Sequence, residues 1–211
     1  MHTEGATLSL RESKKAATRR QLSATARRLA LEHGLDAVTI EQICGDVGVS
    51  VRTFFNYFAS KEAAVIGDAL PVGTPATRQD FLAGGPTGDL LADVLWLLDP
   101  SPVLEQEGRE GLLVGLRLAQ REPRLLAVLL ARQTAQEQEI AALVAERQGP
   151  VASSTGCAAL AGVAQALTRA ACRAWFEADD GRPLSHHLER ARSAVAEELT
   201  RSPAAPAAAT S

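Results

Sequence analysis

Aromatic side chains are scarce in this chain of 211 residues, forming 4% of it, with one Tyr and two Trp. β-Branched runs are scarce as well, and no stretch shows strand-like alternation of useful length. Ala and Leu, both strong helix formers, dominate instead, so the fold is expected to be all-α. Cysteine is nearly absent. Cys44, Cys157 and Cys172 are odd in number and widely spread, and no C-x-x-C or His/Cys spacing suggests zinc. Each lies in an apolar, helix-like context and reads as a small buried hydrophobe. A redox-sensing Cys44 is the alternative. No apolar run is long enough to span a bilayer. The opening MHTEGATLSLRESKKAATRR has no signal-peptide core, so a cytoplasmic protein is expected. A nucleophile elbow, P-loop, G-x-G-x-x-G and metal-ligand cluster are all missing. His186 and His187 are adjacent, so their rings are expected to point apart on a helix surface, and neither His2 nor His33 shows a partner. The reading is of a non-enzyme with no cofactor and no metal.

Net charge is −3, which taken alone argues against a nucleic-acid partner. The distribution argues otherwise. Residues 11–61 hold nine Lys and Arg against five Asp and Glu, whereas from Pro71 onward 13 Arg face 17 acidic residues. All three lysines, Lys14, Lys15 and Lys61, fall in the first part. A basic head on an acidic body suits a modular DNA binder.

Residues 1–13 read as a flexible arm. A first helix is expected over 14–33, with Leu22, Ala26, Leu29 and Ala30 inward, Arg19, Arg20, Arg27 and Arg28 elsewhere on its surface, and Gly34 ending it. Thr39 with Gln42 forms a capping box for a short helix over 40–47. Gly48 suits a tight turn. Ser50 caps a helix over 51–57 and Ser60 another over 61–70. Residues 71–88 read as a loop with one helical turn near 78–82. Helices follow over 89–98, 102–120, 123–148 with Pro123 as first residue, and 153–179. Ser185 is expected to cap the last, in which Leu188, Ala191, Val195 and Leu199 repeat. The tail after 202 is low-complexity. The total is about nine helices.

The informative stretch is 39–61, TIEQICGDVGVSVRTFFNYFASK. It reads as helix, tight turn, helix and a further cap. Ile43 and Val47 face inward, small Cys44 permits a close crossing, and Val49 plugs the turn. Phe54, Phe55 and Phe58 anchor the second helix, leaving Val51, Arg52, Thr53, Asn56 and Tyr57 wholly or partly outward. An Arg for a guanine edge, with hydroxyls and an amide for phosphates, is what DNA readout needs, and a helix of this size fits the major groove.

The segment resembles the DNA-binding domain of the TetR family of bacterial repressors. The pattern T-[IV]-x-x-I-x-x-x-x-G-V-S-x-x-T-F-F-x-Y-F-x-S-K-E is met at Thr39, Ile40, Ile43, Gly48, Val49, Ser50, Thr53, Phe54, Phe55, Tyr57, Phe58, Ser60, Lys61 and Glu62. The similarity covers about residues 14–66. Val47 and Cys44 stand where the family usually and often has Ala, and Gly45 costs the short helix about 1 kcal/mol relative to Ala. The Phe-Phe-Asn-Tyr-Phe variant resembles a subgroup that includes the mycofactocin regulator. The resemblance implies that Thr39, Tyr57 and Lys61 bond phosphates, that Ser50, Thr53 and Asn56 fix the helix on the backbone, and that Val51 and Arg52 reach base edges. Capping is the simpler role for Thr39, Ser50 and Ser60, core packing for Tyr57, and a solvated charge for Arg52.

By the same resemblance, residues 14–66 form a three-helix DNA-binding domain and residues 67–202 a larger domain for effector binding and dimerisation, with flexible tails at 1–13 and 203–211. The last two helices are expected to pair across a two-fold axis, with Leu160, Val163, Leu167, Trp175, Leu188 and Val195 in the seam and Ala159, Gly162 and Ala166 allowing close approach. The middle helices are expected to enclose a small apolar or acyl-CoA-like effector. Gly108, Gly111 and Gly115 make a bare helical stripe, read either as close packing or as ligand space. Trp96, Leu112, Gly115, Leu116, Leu129 and Gln133 are the candidate lining. The expected function is a ligand-released repressor bound as a homodimer to a near-palindromic DNA operator. A DNA-binding protein without effector control and a helical ligand-binding scaffold are the alternatives.

Overall fold

Capping chemistry sets most helix boundaries in the computed structural model, which describes residues 10–67, 71–101, 109–178 and 180–201. Every described element is helical: α1 (Leu10–His33), α2 (Ile40–Val47), α3 (Val51–Phe55), α4 (Lys61–Ile66), α5 (Pro75–Leu82), α6 (Leu90–Leu97), α7 (Arg109–Arg121), α8 (Pro123–Gln148), α9 (Ser154–Ala178) and α10 (Leu184–Thr200), with a 3₁₀ turn at Gly149–Val151. The all-α expectation holds. None of these helices is long and apolar enough to cross a membrane.

The caps act as the sequence suggests. Thr39 and Gln42 form a reciprocal capping box, and Ser50, Ser60, Thr74 and Asp89 each accept a backbone N–H from the first turn of α3, α4, α5 and α6. Several local expectations fail. Helix α1 begins at Leu10, inside the expected arm, α3 ends at Phe55 rather than 57, and α4 ends at Ile66 rather than near 70. The loop over 71–88 holds two full turns of helix, because Thr74 and Thr77 cap each other's backbone and Pro75 starts α5. Ser185 is not a cap: α10 begins one residue earlier, after extended Pro183, with no side-chain cap.

The chain divides into two compact units, one of residues 1–72 and 100–139, the other of 73–99 and 140–211. Helix α8 thus supplies residues to both.

In the first unit, Leu22, Ala26, Ile43, Phe54, Ala64, Val65 and Leu125 are fully buried in one core, against which Val114, Val128 and Leu129 also pack. Arg27 departs from its expected surface position. It is almost wholly buried, and its guanidinium donates to the carbonyls of Val65 (2.9 Å) and Ile66 (3.4 Å). The C-terminal turn of α4 is buried and cannot satisfy those carbonyls internally. Ser23 Oγ likewise donates to Ala64 O at 2.7 Å, and Arg132 to Gly67 O at 2.7 Å and Ala63 O at 3.3 Å. Five successive carbonyls are therefore held by α1 and α8.

That arrangement explains the glycine stripe. A Cβ on Gly111 would lie 2.8 Å from Arg27 Nη1, and one on Gly115 would lie 3.4 Å from Val65 O and 3.5 Å from Arg27 Nε. The bare face of α7 admits Arg27, and the close-packing reading is the correct one. Gly108 lies outside the described residues.

In the second unit, Phe81, Val94, Ile140, Val144, Ala161 and Ala164 are fully buried. Asp93 is buried with them. Its carboxylate accepts from Thr87 N (2.9 Å), Thr87 Oγ1 (2.7 Å) and Arg147 Nη2 (2.8 Å), and Arg147 also lies over the Phe81 ring. His187, expected on the surface, is buried too, its Nε2 3.5 Å from Asp180 Oδ1. Nor do the two imidazoles diverge: their centroids are 5.5 Å apart, edge to face.

Candidate nucleic-acid interface

Helices α2 and α3 meet at a turn that only glycine enters without strain. Gly48 has φ +77, and its N–H closes on Cys44 O, as does that of Val49. Ser50 then turns the chain into α3. Its Oγ accepts from Thr53 N at 3.0 Å and shares a 2.8 Å hydrogen bond with Thr53 Oγ1. Phe54, with no exposed surface, and Phe58 fix α3 from within, their rings 5.8 Å apart. Arg19 of α1 lies over the Phe58 ring at 4.7 Å.

Phe55 corrects the expected anchor trio, being 54% exposed. Residues three and four apart on a helix share a face: Phe54 and Phe58 are four apart on the buried side, and Phe55 lies three after exposed Arg52. Arg52 and Asn56 are exposed; Val51, Thr53 and Tyr57 are half-buried. Arg52 and Phe55 of α3, with Asn56 at its C-terminal end, thus offer a guanidinium, an apolar ring and an amide to solvent. These groups can donate to guanine O6 and N7, bond adenine, and cover a thymine methyl.

Cations in this region divide by use. Arg27 is committed to α4, Arg28 pairs with Glu32 and Asp46, and Lys61 Nζ donates to the carbonyls of Leu35 and Val38, both at 2.7 Å. Lys61 therefore ties α4 to the loop before α2, with one N–H left for anything else. Arg20, Arg52, Lys14 and Lys15 are exposed. Lys14, Lys15 and Thr18 of α1, with Asn56 and Tyr57, line an open cleft of about 450 Å³. Neither Lys14 nor Lys15 was among the expected DNA contacts. Two of only three lysines side by side at the start of the head was the available signal.

Cys44 is buried, and its thiol is pushed up by that burial and by the Glu41 charge. A thiol held protonated is a poor redox nucleophile. Cys172 is only half-buried, against expectation, yet burial of the thiol and the nearby Asp99 push it up to about 11. Among the described residues, no three His, Cys, Asp or Glu are grouped to hold a metal ion.

Leu112, Leu129 and Gln133 are half-buried and Leu116 is exposed in the first unit, while Trp96 is exposed in the second. Gly115 faces Arg27 and offers no ligand space. Of the expected seam on α9 and α10, Val163 and Val195 are 44% and 42% exposed, and Leu160, Trp175 and Leu188 are half-buried. Trp175 Nε1–H donates to Arg182 O at 3.1 Å. Leu167 is buried within its own chain, because α6 and α10 both pack on α9.

Comparison with known proteins adds three findings. Residues 22–65 match the profile described as bacterial regulatory proteins, tetR family, and residues 104–200 match that of an MftR C-terminal domain. The chain is also 36% identical over 152 residues to the HTH-type transcriptional regulator TcmR of Streptomyces glaucescens. That alignment covers 66% of this chain and 64% of the relative, less than two thirds of its length.

Proposed function

With its head and most of its body matched in this way, the chain belongs to the TetR family of bacterial regulators, and from that premise we propose that it is a sequence-specific DNA-binding transcriptional regulator. A regulator of this kind is not an enzyme. The observation that carries the reading is the exposure of Arg52 and Phe55 on α3, with Asn56 at its C-terminal end, on a helix anchored by Phe54 and Phe58. Arg52 and Val51 read base edges. Ser50, Thr53, Asn56, Tyr57 and Thr39 position the head on the phosphates, and Lys61 contributes its remaining N–H.

The protein acts as a cytoplasmic homodimer, with residues 14–66 as the reading head and 67–202 as the dimerising and effector-binding body. Two copies of α3 enter successive major grooves of a near-palindromic operator, about 34 Å apart. Binding represses, and a small apolar effector taken up by the body releases the DNA. Coupling of this kind is typically about 1–3 kcal/mol.

The test is selection of genomic fragments by the purified protein, followed by gel shift of the enriched site with wild type and Arg52→Ala at two salt concentrations. One palindromic site, lost in the variant, supports the reading. Equal, salt-sensitive binding of every fragment by both proteins overturns it.

A further inference from the structure

The open cleft between α1 and the end of α3 has a chemistry that the reading of α3 leaves unused. Its walls are Lys14, Lys15 and Thr18 on one side and Asn56 and Tyr57 on the other, with no carboxylate among them. Thr18 Oγ1 donates to Lys14 O at 3.1 Å, which leaves its lone pairs free to accept and the lysine ammoniums as the principal donors. Both ammoniums sit on exposed residues, and neither is drawn into an ion pair among the described residues. Lys61, Arg27 and Arg28 are by contrast spent on the protein itself.

An enclosed cavity selects a ligand by stripping its water. This cleft does not enclose: about 450 Å³ stands open to solvent beside a helix that reads DNA. Two compact, strongly hydrated charges, an amide and a phenol around an open trough suit a polyanionic strand passing through while still solvated. The trough abuts Asn56, which is also exposed at the C-terminal end of α3, so one strand can follow both.

We propose that the cleft is a second seat for the DNA backbone, in which Lys14 and Lys15 hold phosphates flanking the base pairs read by α3. The seat rests on the DNA-binding reading of α3 but is independent of sequence. It supplies affinity and register, not base choice.

The experiment measures DNA affinity against salt for wild type, Lys14→Gln/Lys15→Gln, Lys14→Arg/Lys15→Arg and Arg52→Ala, on the enriched operator and on a scrambled duplex. Each phosphate contact contributes about 0.9 to the slope of log K against log salt. The Gln pair is expected to lower that slope by about 2 per protomer and weaken both duplexes alike, keeping their affinity ratio. The Arg pair is expected to keep the slope. Trimming the operator's flanks should cost wild type affinity and cost the Gln pair little more. All the lysine changes are at exposed positions, and an unchanged melting curve checks the fold. An unchanged slope in the Gln pair, with selectivity still lost in Arg52→Ala, overturns the seat and leaves the reading of α3 standing. A changed affinity ratio between duplexes overturns it as well, since it would make the lysines readers of sequence. Wild type that binds no DNA overturns both.

Discussion

Asp93 has no exposed surface, and its charge survives burial only because Thr87 and Arg147 meet it with three hydrogen bonds. Burial alone would raise its pKa. The bonds from Thr87 and Arg147, with the guanidinium charge, outweigh that and hold the carboxyl below its ordinary value. A carboxyl depressed in the folded state contributes stability that is present above its unfolded value, near pH 4, and lost as pH falls through the folded value. Denaturant titrations of wild type should therefore show the second unit weakening below about pH 4, and Asp93→Asn should lose less over that window. At pH 7, Asp93→Ala leaves the guanidinium of Arg147, largely buried itself, without its counter-charge. The expected cost is about 3–5 kcal/mol. A cost below about 1 kcal/mol would mean that the pair is not what holds Arg147. Thr39 offers a milder case: its hydroxyl serves one orphan N–H of α2 at 3.2 Å, so Thr39→Ala should cost about 1 kcal/mol by urea titration.

At the scale of elements, α4 is a short helix that depends on its neighbours. It has six residues, and the carbonyls from Ala63 to Gly67 are met by Ser23, Arg27 and Arg132 from two other helices. Arg27 reaches them across the face of α7 that Gly111 and Gly115 leave bare. Gly115→Leu places a branched side chain where the guanidinium lies, forcing out a buried charge and stranding Val65 O and Ile66 O. The expected loss is about 3 kcal/mol or more. Arg27→Met keeps the volume and strands the same carbonyls, so its loss should be smaller, about 1–3 kcal/mol. If Gly115→Leu proves neutral in thermal and denaturant unfolding, the notch is not closed. The same node marks the limit of what the sequence discloses. Helix ends were legible because a cap is local: Thr39 with Gln42, Ser50 with Thr53 and Ser60 with Ala63 each lie within one turn. The motif face of α3 was legible for the same reason, save for Phe55, whose aromatic character suggested an anchor while its register turned it outward. Arg27, Lys61 and His187 were not legible. Each is polar and written like a surface residue; Arg27 and Lys61 are drawn to carbonyls on separate segments, while His187 is buried 3.5 Å from Asp180. The glycine stripe was visible, but its occupant lay on another helix.

At the scale of the whole molecule, a single head grips too few base pairs to specify one site, and joining two heads is the remedy the proposed homodimer uses. On α9 and α10 the second unit presents Val163 and Val195 about half exposed and Leu199 at 82%, apolar groups that a second copy would cover. Ala159 and Ala166 are exposed on α9 beside them and are small enough for two helices to come close. Leu167 is committed inside its own chain, so the seam must rest on the valines and alanines. Val163→Asp with Val195→Asp puts charge on that face without touching the buried core. Sedimentation should then show a monomer at micromolar concentration with an unchanged helical content. DNA affinity should fall as well, because the second half-site no longer benefits from tethering, which is worth about 10²–10⁴-fold in linked binders. The monomer should still protect one half-site at high concentration and keep its dependence on Arg52. A variant that remains dimeric would place the seam elsewhere. A monomer that binds the full operator as tightly as wild type would mean that dimerisation is not the source of its affinity.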